Sequence, residues 1–421
     1  MSVTTDRLAI HGGEPAVKRP LNQYKGAALI DEEEKAAVLD VLTAQSLFRY
    51  YGPHLLEKTA AFEAGVAAHL RVPYAAACSS GTAALRMGLI ALGVGAGDEV
   101  IVPATTFIAS VNAVVAQGAI PIFAEVDEYL CLDAAAIEPL LTERTRAIMP
   151  VHLNGVAVDM HPLMAVARRH DVAVLEDTAQ ACGSSYRGTK LGTIGDVGAY
   201  SFQLEKNITS GDGGLLVTRD EDLYKRAVKY SDQGGQFPIQ SGGVRDLVGG
   251  EAYLGENLRM TEIAGAILGV QLRRLDAMLE RVAQARQTVL SAIDDLPVQF
   301  PTPDPDRDQH ALGILFYLAA AEQAGDFVHA LRAEGVPTAQ VYGGKPVYAN
   351  PQVLEQRTMT RTCPFRCSCT DHRRVSYQMG MCPRTEDLLA RSVGVALGPK
   401  MDDRDLSDII RGIRKVAAHL A

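Results

Sequence analysis

The chain of 421 residues is long enough to bury a large core, and its 47% hydrophobic and 22% charged residues are typical of globular proteins. A formal net charge of −9 argues against a nucleic-acid partner, which would favour a basic surface. No apolar run approaches the roughly 18 residues of a membrane helix, and the N-terminus lacks the pattern of a signal peptide, so we expect no membrane partner and a cytoplasmic location.

Residues 1–30 are predicted to form an irregular arm, because Gly12-Gly13-Glu14-Pro15 favours a turn or loop. Asp31 with the glutamates that follow it predicts a helix start, because acidic caps and first turns face the positive end of the helix dipole. We expect this helix to end near Ala44. The aromatic segment 47–52 is either packing of the arm on the core or a loop at an active site or subunit contact.

A short apolar stretch breaks at Cys78-Ser79-Ser80-Gly81-Thr82, where a helix is predicted to begin and to continue to about Leu92. Free backbone N–H groups at a helix start, together with hydroxyls, form an anion site suited to phosphate. The same residues also make an ordinary helix cap. The segment alone leaves both interpretations open.

Strand and helix patterns then alternate, which predicts a mainly parallel sheet with helices on both faces. Right-handed crossovers place the strand ends at one edge, so we expect the 79–82 turn, Phe107, Asp177 and Ser201 to converge. The predicted strands are 99–102, 120–126, 146–151, 172–175, 197–202 and 314–319, and the predicted helices are 107–116, 133–141, 159–169, 221–230, 261–290, 326–334 and 405–419. The glycine-rich stretch 233–250 is expected to form a mobile loop.

The stretch 172–214 carries the strongest chemical signal. Glu176 and Asp177 follow a buried strand, Ser201 ends the next strand, and Lys206 stands shortly before the turn Gly211-Asp212-Gly213-Gly214. A carboxylate, a hydroxyl and a lysine at strand ends could hold a charged aromatic cofactor. Singly, each has an ordinary alternative: Asp177 as a helix cap, Lys206 as a solvated surface group, and Phe107 as a core residue.

This stretch resembles the DegT/DnrJ/EryC1/StrS family of pyridoxal-phosphate (PLP) sugar aminotransferases. The family pattern is an acidic residue, a small residue and Ala-Gln or Ala-His, then Ser-Phe, a lysine and a Gly-Glu-Gly-Gly turn. Here it reads Asp177-Thr178-Ala179-Gln180, Ser201-Phe202, Lys206 and Gly211-Asp212-Gly213-Gly214. Asp212 replaces the usual glutamate, a shortening that we expect to be tolerated. The segment from Gly255 to Met260 also resembles the family's Gly-x-Asn-x-Arg-Met signature.

The resemblance implies the α/β fold of PLP transferases of fold type I, with a large domain built on a mainly parallel sheet between helices and a smaller C-terminal α+β domain. We expect the arm at 1–30, the large PLP-binding domain at 31–295 and the small domain at 296–421, because the proline-rich segment 296–310 is the best linker candidate.

The resemblance also implies roles for single residues. Lys206 would form the internal aldimine with PLP, and Asp177 would pair with the pyridine nitrogen. Asn257 would reach the phosphate of the neighbouring subunit, which implies a homodimer with shared active sites; alternatively, Asn257 caps the helix after it. The other implied cofactor contacts are Gly81, Thr82 and Ser201 at the phosphate, Phe107 stacked on the ring and Gln180 near the ring hydroxyl.

The implied reaction moves an amino group from glutamate or glutamine to a keto-sugar or keto-cyclitol, in amino-sugar, aminocyclitol or natural-product biosynthesis. Asn154 stands where the family usually has tyrosine, which leaves the substrate contacts there open. Candidates for a donor carboxylate or a sugar phosphate are Arg245, Arg259, Tyr342 and Lys345.

Three alternatives remain weaker. A PLP-dependent sugar dehydratase would replace the lysine with histidine, whereas Lys206 is present. A non-catalytic regulatory protein would carry an added DNA-binding domain, for which the enzyme pattern leaves no room. A Rossmann-type nucleotide binder would need G-x-G-x-x-G, which residues 79–82 do not supply.

Four of the seven cysteines cluster late in the chain. Their spacing lacks the paired C-x2-C units of standard zinc sites, and a metal is not part of the family's chemistry. We therefore predict no metal and expect free thiols in a C-terminal loop, with a structural metal or redox site as the alternative. The cluster consists of Cys363, Cys367, Cys369 and Cys382, with His372 between them.

Overall fold

The computed structural model describes residues 7–235, 251–359, 363–365 and 375–420. Its centre is a sheet of seven strands in the spatial order β1-β9-β8-β5-β4-β2-β3. Only β9 runs antiparallel to its neighbours in this sheet, so the prediction of a mainly parallel sheet is confirmed. The strands are β1 (Tyr74–Cys78), β2 (Glu99–Pro103), β3 (Ile120–Ala124), β4 (Thr145–Ile148), β5 (Ala173–Asp177), β8 (Val197–Ser201) and β9 (Gly214–Thr218), while β6 (Ser185–Tyr186) and β7 (Thr189–Lys190) form a separate hairpin.

Helices cover both faces of this sheet, as predicted. Asp31 caps the first of them in a capping box with Glu34, which satisfies backbone donors at the helix start. Thr261 caps the longest, since its side chain accepts from the N–H of Ala264. The helices are α1 (Glu32–Thr43), α2 (Lys58–Leu70), α3 (Gly81–Ala91), α4 (Ile108–Ala116), α5 (Met160–Arg169), α6 (Glu221–Ser231) and α7 (Glu262–Ser291).

The strands alternate between the two helical layers. On β9, Leu215 and Val217 belong to the core shared with α2 and α7, whereas Leu216 belongs to the core shared with α3 and α4. Successive side chains of a strand point to opposite faces, and a strand buried on both faces therefore reads as a continuous apolar run. This explains why the strands were recognisable in the sequence by short apolar runs.

A second, three-stranded antiparallel sheet lies in the C-terminal part of the chain, in the order β10-β12-β11. Its core residues join those of α2 and α7 in one continuous cluster. The predicted boundary at residue 296 therefore stays a prediction. The elements are β10 (Gly313–Tyr317), α8 (Ala321–Ala333), β11 (Thr338–Ala339), α9 (Pro383–Arg391), β12 (Ser392–Ala396) and α10 (Asp403–Leu420).

The helix predicted at 133–141 is wrong. The structure has two 3-10 turns there, Ala134–Ala136 and Glu138–Leu140. Pro139 lacks a backbone N–H and its ring clashes with the preceding turn, which interrupts an α-helix. Helices α2 and α9 and strands β6, β7, β9, β11 and β12 were not predicted.

Part of the sequence interpretation falls outside the described residues. The predicted glycine-rich loop lies there from residue 236 onward, as do Arg245, Cys367, Cys369 and His372. Within the described ranges, no cluster of histidine, cysteine, aspartate and glutamate that could hold a metal is found. Among the same residues, no helix has the length and apolar character needed to cross a membrane.

Candidate active site

A cleft of about 1380 Å³ opens at the carboxyl ends of the parallel strands. Its walls come from the arm, the starts of α3 and α4, the end of β5, the loop after β8 and the three-stranded sheet. The structure brings together in it every residue that the sequence predicted for the cofactor site except Asn257. These residues are Gly81, Thr82, Phe107, Asp177, Gln180, Ser201 and Lys206.

Asp177 is the buried acid of the cleft, with 4% of its surface exposed. Its Oδ2 accepts a hydrogen bond of 2.8 Å from Ser110 Oγ, and its Oδ1 accepts one of 3.1 Å from the N–H of Ala179. Burial raises the pKa of the Asp177 carboxyl, while these hydrogen bonds and the charge of Lys206 act in the opposite direction. Such a carboxylate favours a cationic partner. The prediction that Asp177 is only a helix cap finds no support, because no helix begins there.

Glu176, its neighbour, faces away from the cleft. It is fully buried and accepts hydrogen bonds from the backbone N–H groups of Gly192, Ile194 and Gly195 and from His152 Nε2. His152 Nδ1 in turn accepts from the N–H of Val158 at 3.1 Å, which places the ring proton on Nε2. Of the two acids at the end of β5, only Asp177 serves the cleft.

Lys206 stands in a loop that one backbone and one side-chain hydrogen bond hold in place. The loop closes where the N–H of Phe202 donates to the carbonyl oxygen of Gly213 at 2.8 Å, and Asn207 Nδ2 donates to the carbonyl of Cys182 at 2.8 Å. The lysine side chain is half-buried, and burial lowers the pKa of its amine, partly opposed by the charge of Asp177. Lys206 is therefore not a solvated surface group.

The start of α3 forms a cradle of backbone donors. Ser80 caps the helix through a 3.1 Å bond from the N–H of Ala83 to its Oγ. The structure offers no partner among the described residues to the N–H groups of Gly81 and Thr82, which line the cleft. A Cβ added at Gly81 would lie 2.6 Å from Ser201 Cβ, so glycine is required for this close approach. The helix-cap interpretation of this segment is confirmed, and the anion site at its free N–H groups stays a prediction.

Two further side chains border the space between Lys206 and the cradle. The ring of Phe107 is 57% exposed, so the alternative of a core residue is wrong. Gln180 Nε2 donates to the hydroxyl of Tyr342 at 2.9 Å, and its Oε1 accepts from the N–H of Asn154 at 3.3 Å. Both Asn154 and Tyr342 have left-handed backbone conformations, which cost free energy and cluster at functional sites.

Asn257 lies apart from this cleft, exposed on the surface. Its Oδ1 accepts from the N–H of Arg259 at 3.4 Å. The alternative role of helix cap is wrong, because Thr261 caps α7. Two candidates for a substrate anion also lie outside the residues that line the cleft: Arg259 is ion-paired with Asp232, and Lys345 is exposed.

These residues fit pyridoxal phosphate. The cradle at the start of α3 suits its phosphate, the buried carboxylate of Asp177 suits the protonated ring nitrogen, and the exposed face of Phe107 offers a stacking surface. Lys206, whose amine could bind the aldehyde of this cofactor, borders the same cleft. Ser110 was not predicted from the sequence, because it carries no motif and meets Asp177 only in the folded chain.

The model of the DegT/DnrJ/EryC1/StrS aminotransferase family matches residues 28–414. Over 433 residues the chain is 33% identical to L-glutamine:2-deoxy-scyllo-inosose aminotransferase of Streptomyces paromomycinus, covering 99% of this chain and 98% of that protein. It is 44% identical to GDP-perosamine synthase of Caulobacter vibrioides over 225 residues, which cover 52% of this chain and 57% of that protein.

Solved structures share the fold. DesV of S. venezuelae, in complex with a ketimine intermediate, superimposes with a TM-score of 0.79 at 31% identity, covering 93% of this chain and 95% of DesV. The aminotransferase TlmJ of Streptoalloteichus hindustanus has a TM-score of 0.79 at 26% identity, with 95% and 99% covered.

Proposed function

The chain belongs to the DegT/DnrJ/EryC1/StrS aminotransferase family, and from this premise we propose that it uses pyridoxal phosphate to transfer an amino group from glutamine or glutamate to a keto-sugar or keto-cyclitol. The observation that carries the proposal is the shared cleft of Lys206, Asp177 and the α3 cradle. The relatives support both acceptor classes, because one is named for the cyclitol ketone 2-deoxy-scyllo-inosose and another for the GDP-linked sugar perosamine.

Pyridoxal phosphate supplies the electron sink that amino-acid side chains lack. Lys206 Nζ is then the group that holds the cofactor and moves the proton at the substrate carbon. Both tasks need the unprotonated amine for part of the time. Burial supports this role, because it lowers the pKa of Lys206 and so raises the unprotonated fraction at a given pH.

Asp177 would orient the ring and keep its nitrogen protonated. Its carboxylate is buried, so a cationic N–H partner is strongly favoured there over water. Ser110 and the N–H of Ala179 occupy one acceptor position on each carboxylate oxygen. Those two bonds fix the direction of the carboxylate before any ligand binds, which avoids a cost of reorganisation.

The remaining cleft residues would bind and orient. Gly81 and Thr82 would donate backbone N–H groups to the phosphate, and Ser201 lies in contact range of that turn. Phe107 would cover one face of the ring. Gln180 would lie near the ring hydroxyl, its amide orientation set by Tyr342 and Asn154. The presence of Lys206 disfavours the dehydratase alternative.

We also propose a homodimer in which Asn257 serves the partner's cleft. Asn257 is exposed, and the nearby aromatic segment is linked to it through Arg259, whose guanidinium lies 5.2 Å from the ring centroid of Phe48. Large apolar side chains on α1 and in this segment remain between 48% and 63% exposed, which a second copy would cover. They are Leu39, Leu42, Leu47 and Tyr51.

Nitrogen transfer to a defined acceptor tests this function. The holoenzyme would be supplied with glutamine or glutamate carrying a heavy isotope in the α-amino group, and with 2-deoxy-scyllo-inosose or a nucleotide-linked keto-sugar. Mass spectrometry should find the label in an amine formed from one of these acceptors. The Lys206→Ala variant is the control and should give none. Label in no acceptor of either class would contradict the proposal.

A further inference from the structure

The N-terminal arm runs directly beside Lys206. The N–H of Gly26 donates to the carbonyl oxygen of Lys206 at 3.2 Å. A Cβ added at Gly26 would lie 2.8 Å from Cα of Ile208 and 2.9 Å from the carbonyl oxygen of Asn207. Only a glycine permits this approach. Lys25, the residue before it, lines the cleft.

The arm is also anchored on the other side of Lys25. Arg19 forms ion pairs of 2.6 Å with both Asp402 and Asp405. A Cβ added at Gly398 would lie 2.2 Å from the carbonyl oxygen of Asn22, so the arm packs closely on this turn after β12. Lys25 therefore stands between two fixed points, one on the C-terminal segment and one on the lysine loop. Its position in the cleft is built into the fold.

The charge of Lys25 is only partly compensated within the described residues. Its side chain is half-buried, and the structure gives its ammonium group no hydrogen bond and no ion pair there. Burial lowers the pKa of Lys25; the charge of Glu205 opposes this, and the charge of Lys206 adds to it. A half-buried ammonium without a direct ion pair is unfavourable. An incoming anion would relieve that cost.

The other cations of the cleft differ from Lys25. Arg286 is ion-paired with Asp308 at 3.1 Å. Arg332 donates to the carbonyl oxygen of Thr338, next to the three-stranded sheet. Lys25, in contrast, directly precedes Gly26, whose N–H donates to the carbonyl oxygen of Lys206. Lys25 is thus the cation that the fold sets beside the reactive amine.

We propose that Lys25 binds the α-carboxylate of the amino donor, an inference that rests on the proposed function. In an amino acid the carboxylate is attached to the carbon that carries the transferred amino group, so its binding site must adjoin Lys206. A keto-cyclitol carries no charge, and the phosphates of a nucleotide-linked keto-sugar lie several bonds from the ketone. The donor carboxylate is therefore the anion whose position matches Lys25.

The test separates the two halves of the reaction in the holoenzyme. The variants are Lys25→Met, which keeps the aliphatic stem, Lys25→Arg, which keeps the charge, and Lys18→Met, a control on the same arm whose exposed side chain pairs with Glu14. Donor affinity is measured from the change in cofactor absorption on titration with glutamine and glutamate. Calorimetric binding of glutarate, which has carboxylates and no amino group, gives a readout independent of turnover.

Lys25→Met should weaken binding of both the donor and glutarate by roughly 10- to 100-fold, the effect of losing one charge-assisted hydrogen bond. Lys25→Arg should restore most of the affinity for the donor and glutarate, and Lys18→Met should leave both affinities unchanged. In Lys25→Met, the reaction of the aminated enzyme with the acceptor should be unaffected. If the Lys25→Met protein does not show the absorption of bound cofactor, the same measurements are made on Lys25→Gln.

Unchanged donor and glutarate affinities in the neutral variants would overturn the inference, as would a loss confined to the acceptor half-reaction. If the proposed function is wrong, the result differs from this one, because the wild-type enzyme itself would show no absorption change with either donor.

Discussion

Ser110 Oγ donates a 2.8 Å hydrogen bond to Oδ2 of Asp177, and both side chains are buried. The serine lies in the first turn of α4 and the aspartate ends β5, so this bond joins two elements that right-handed crossovers bring to one sheet edge. Thr106 Oγ1 lies 2.7 Å from the same serine hydroxyl and extends the network. The orientation of the Asp177 carboxylate is therefore fixed by the fold before a ligand arrives.

Asp177→Asn is expected to reduce the rate of amino transfer by roughly 100- to 1,000-fold, because a preorganised charge at the reacting system is lost. Cofactor affinity should fall much less, since the cradle at α3 is intact. Ser110→Ala, which keeps the carboxylate and removes one hydrogen bond, should cost far less. Single-turnover rates and cofactor titrations would measure both effects. A near wild-type rate for Asp177→Asn would remove Asp177 from the mechanism.

Gly81→Ala should weaken cofactor binding, because the new methyl group would meet Ser201 Cβ at 2.6 Å and force the cradle open. The matched control is Gly95→Ala, where a Cβ would meet nothing within 4 Å. We expect the control to leave cofactor affinity unchanged and to stabilise the fold by up to about 1 kcal/mol. Equilibrium titration measures the affinity of each variant for pyridoxal phosphate. Equal affinities of the two variants would argue against a phosphate site at α3.

In protein freed of cofactor, Lys206→Met should raise the melting temperature near neutral pH by a few degrees. The pKa of Lys206 in the folded state lies below its usual value of 10.5, so below the folded-state pKa the folded protein holds a charge that burial disfavours. As the pH rises from that lowered pKa toward 10.5, the folded protein releases the proton before the unfolded chain does, and the penalty falls to zero. The advantage of the variant should therefore shrink at alkaline pH.

The control for this comparison is Lys225→Met, since the ion pair with Glu221 raises the pKa of Lys225. Its removal should leave the melting temperature unchanged or slightly lower, because exposed ion pairs contribute little. Thermal scans of the cofactor-free proteins across the pH range test both. A pH-independent gain for Lys206→Met would mean that burial of the charge is not the cause.

A shared active site predicts complementation between inactive variants. Lys206→Ala and Asn257→Ala homodimers should each have low activity. After dissociation and random reassociation, half of the dimers are mixed and one of their two sites is intact, so about a quarter of wild-type sites should return. Activity assays on the mixture, with the unmixed variants as controls, measure this. No recovery, or a monomeric enzyme with full activity, would refute the shared site.

Much of the large sheet could be predicted because its strands are buried on both faces. Their sequences are therefore apolar runs bounded by turn residues. Asp177 and Ser201 could be found because they end two of those strands, and Lys206 because it lies in the loop after the second. Pro139, by contrast, interrupts the helix that was predicted at 133–141. Strand β9 was not recognised, because it directly follows a glycine turn.

The contacts that complete the site could not be predicted in the same way. Tyr342 contacts Gln180 from a distant part of the chain. It does so in a left-handed backbone conformation that the sequence does not predict. Lys25 lies in an arm without periodicity, and its place beside Lys206 depends on the close approach that Gly26 permits. Such contacts follow from tertiary packing alone.

The absorption spectrum of the holoenzyme tests the central claim most directly. We expect a visible band from cofactor bound through Lys206, absent in Lys206→Ala. Glutamine or glutamate should remove this band, and a keto-sugar or keto-cyclitol should restore it. A band that neither donor changes, or no band after addition of pyridoxal phosphate, would contradict it.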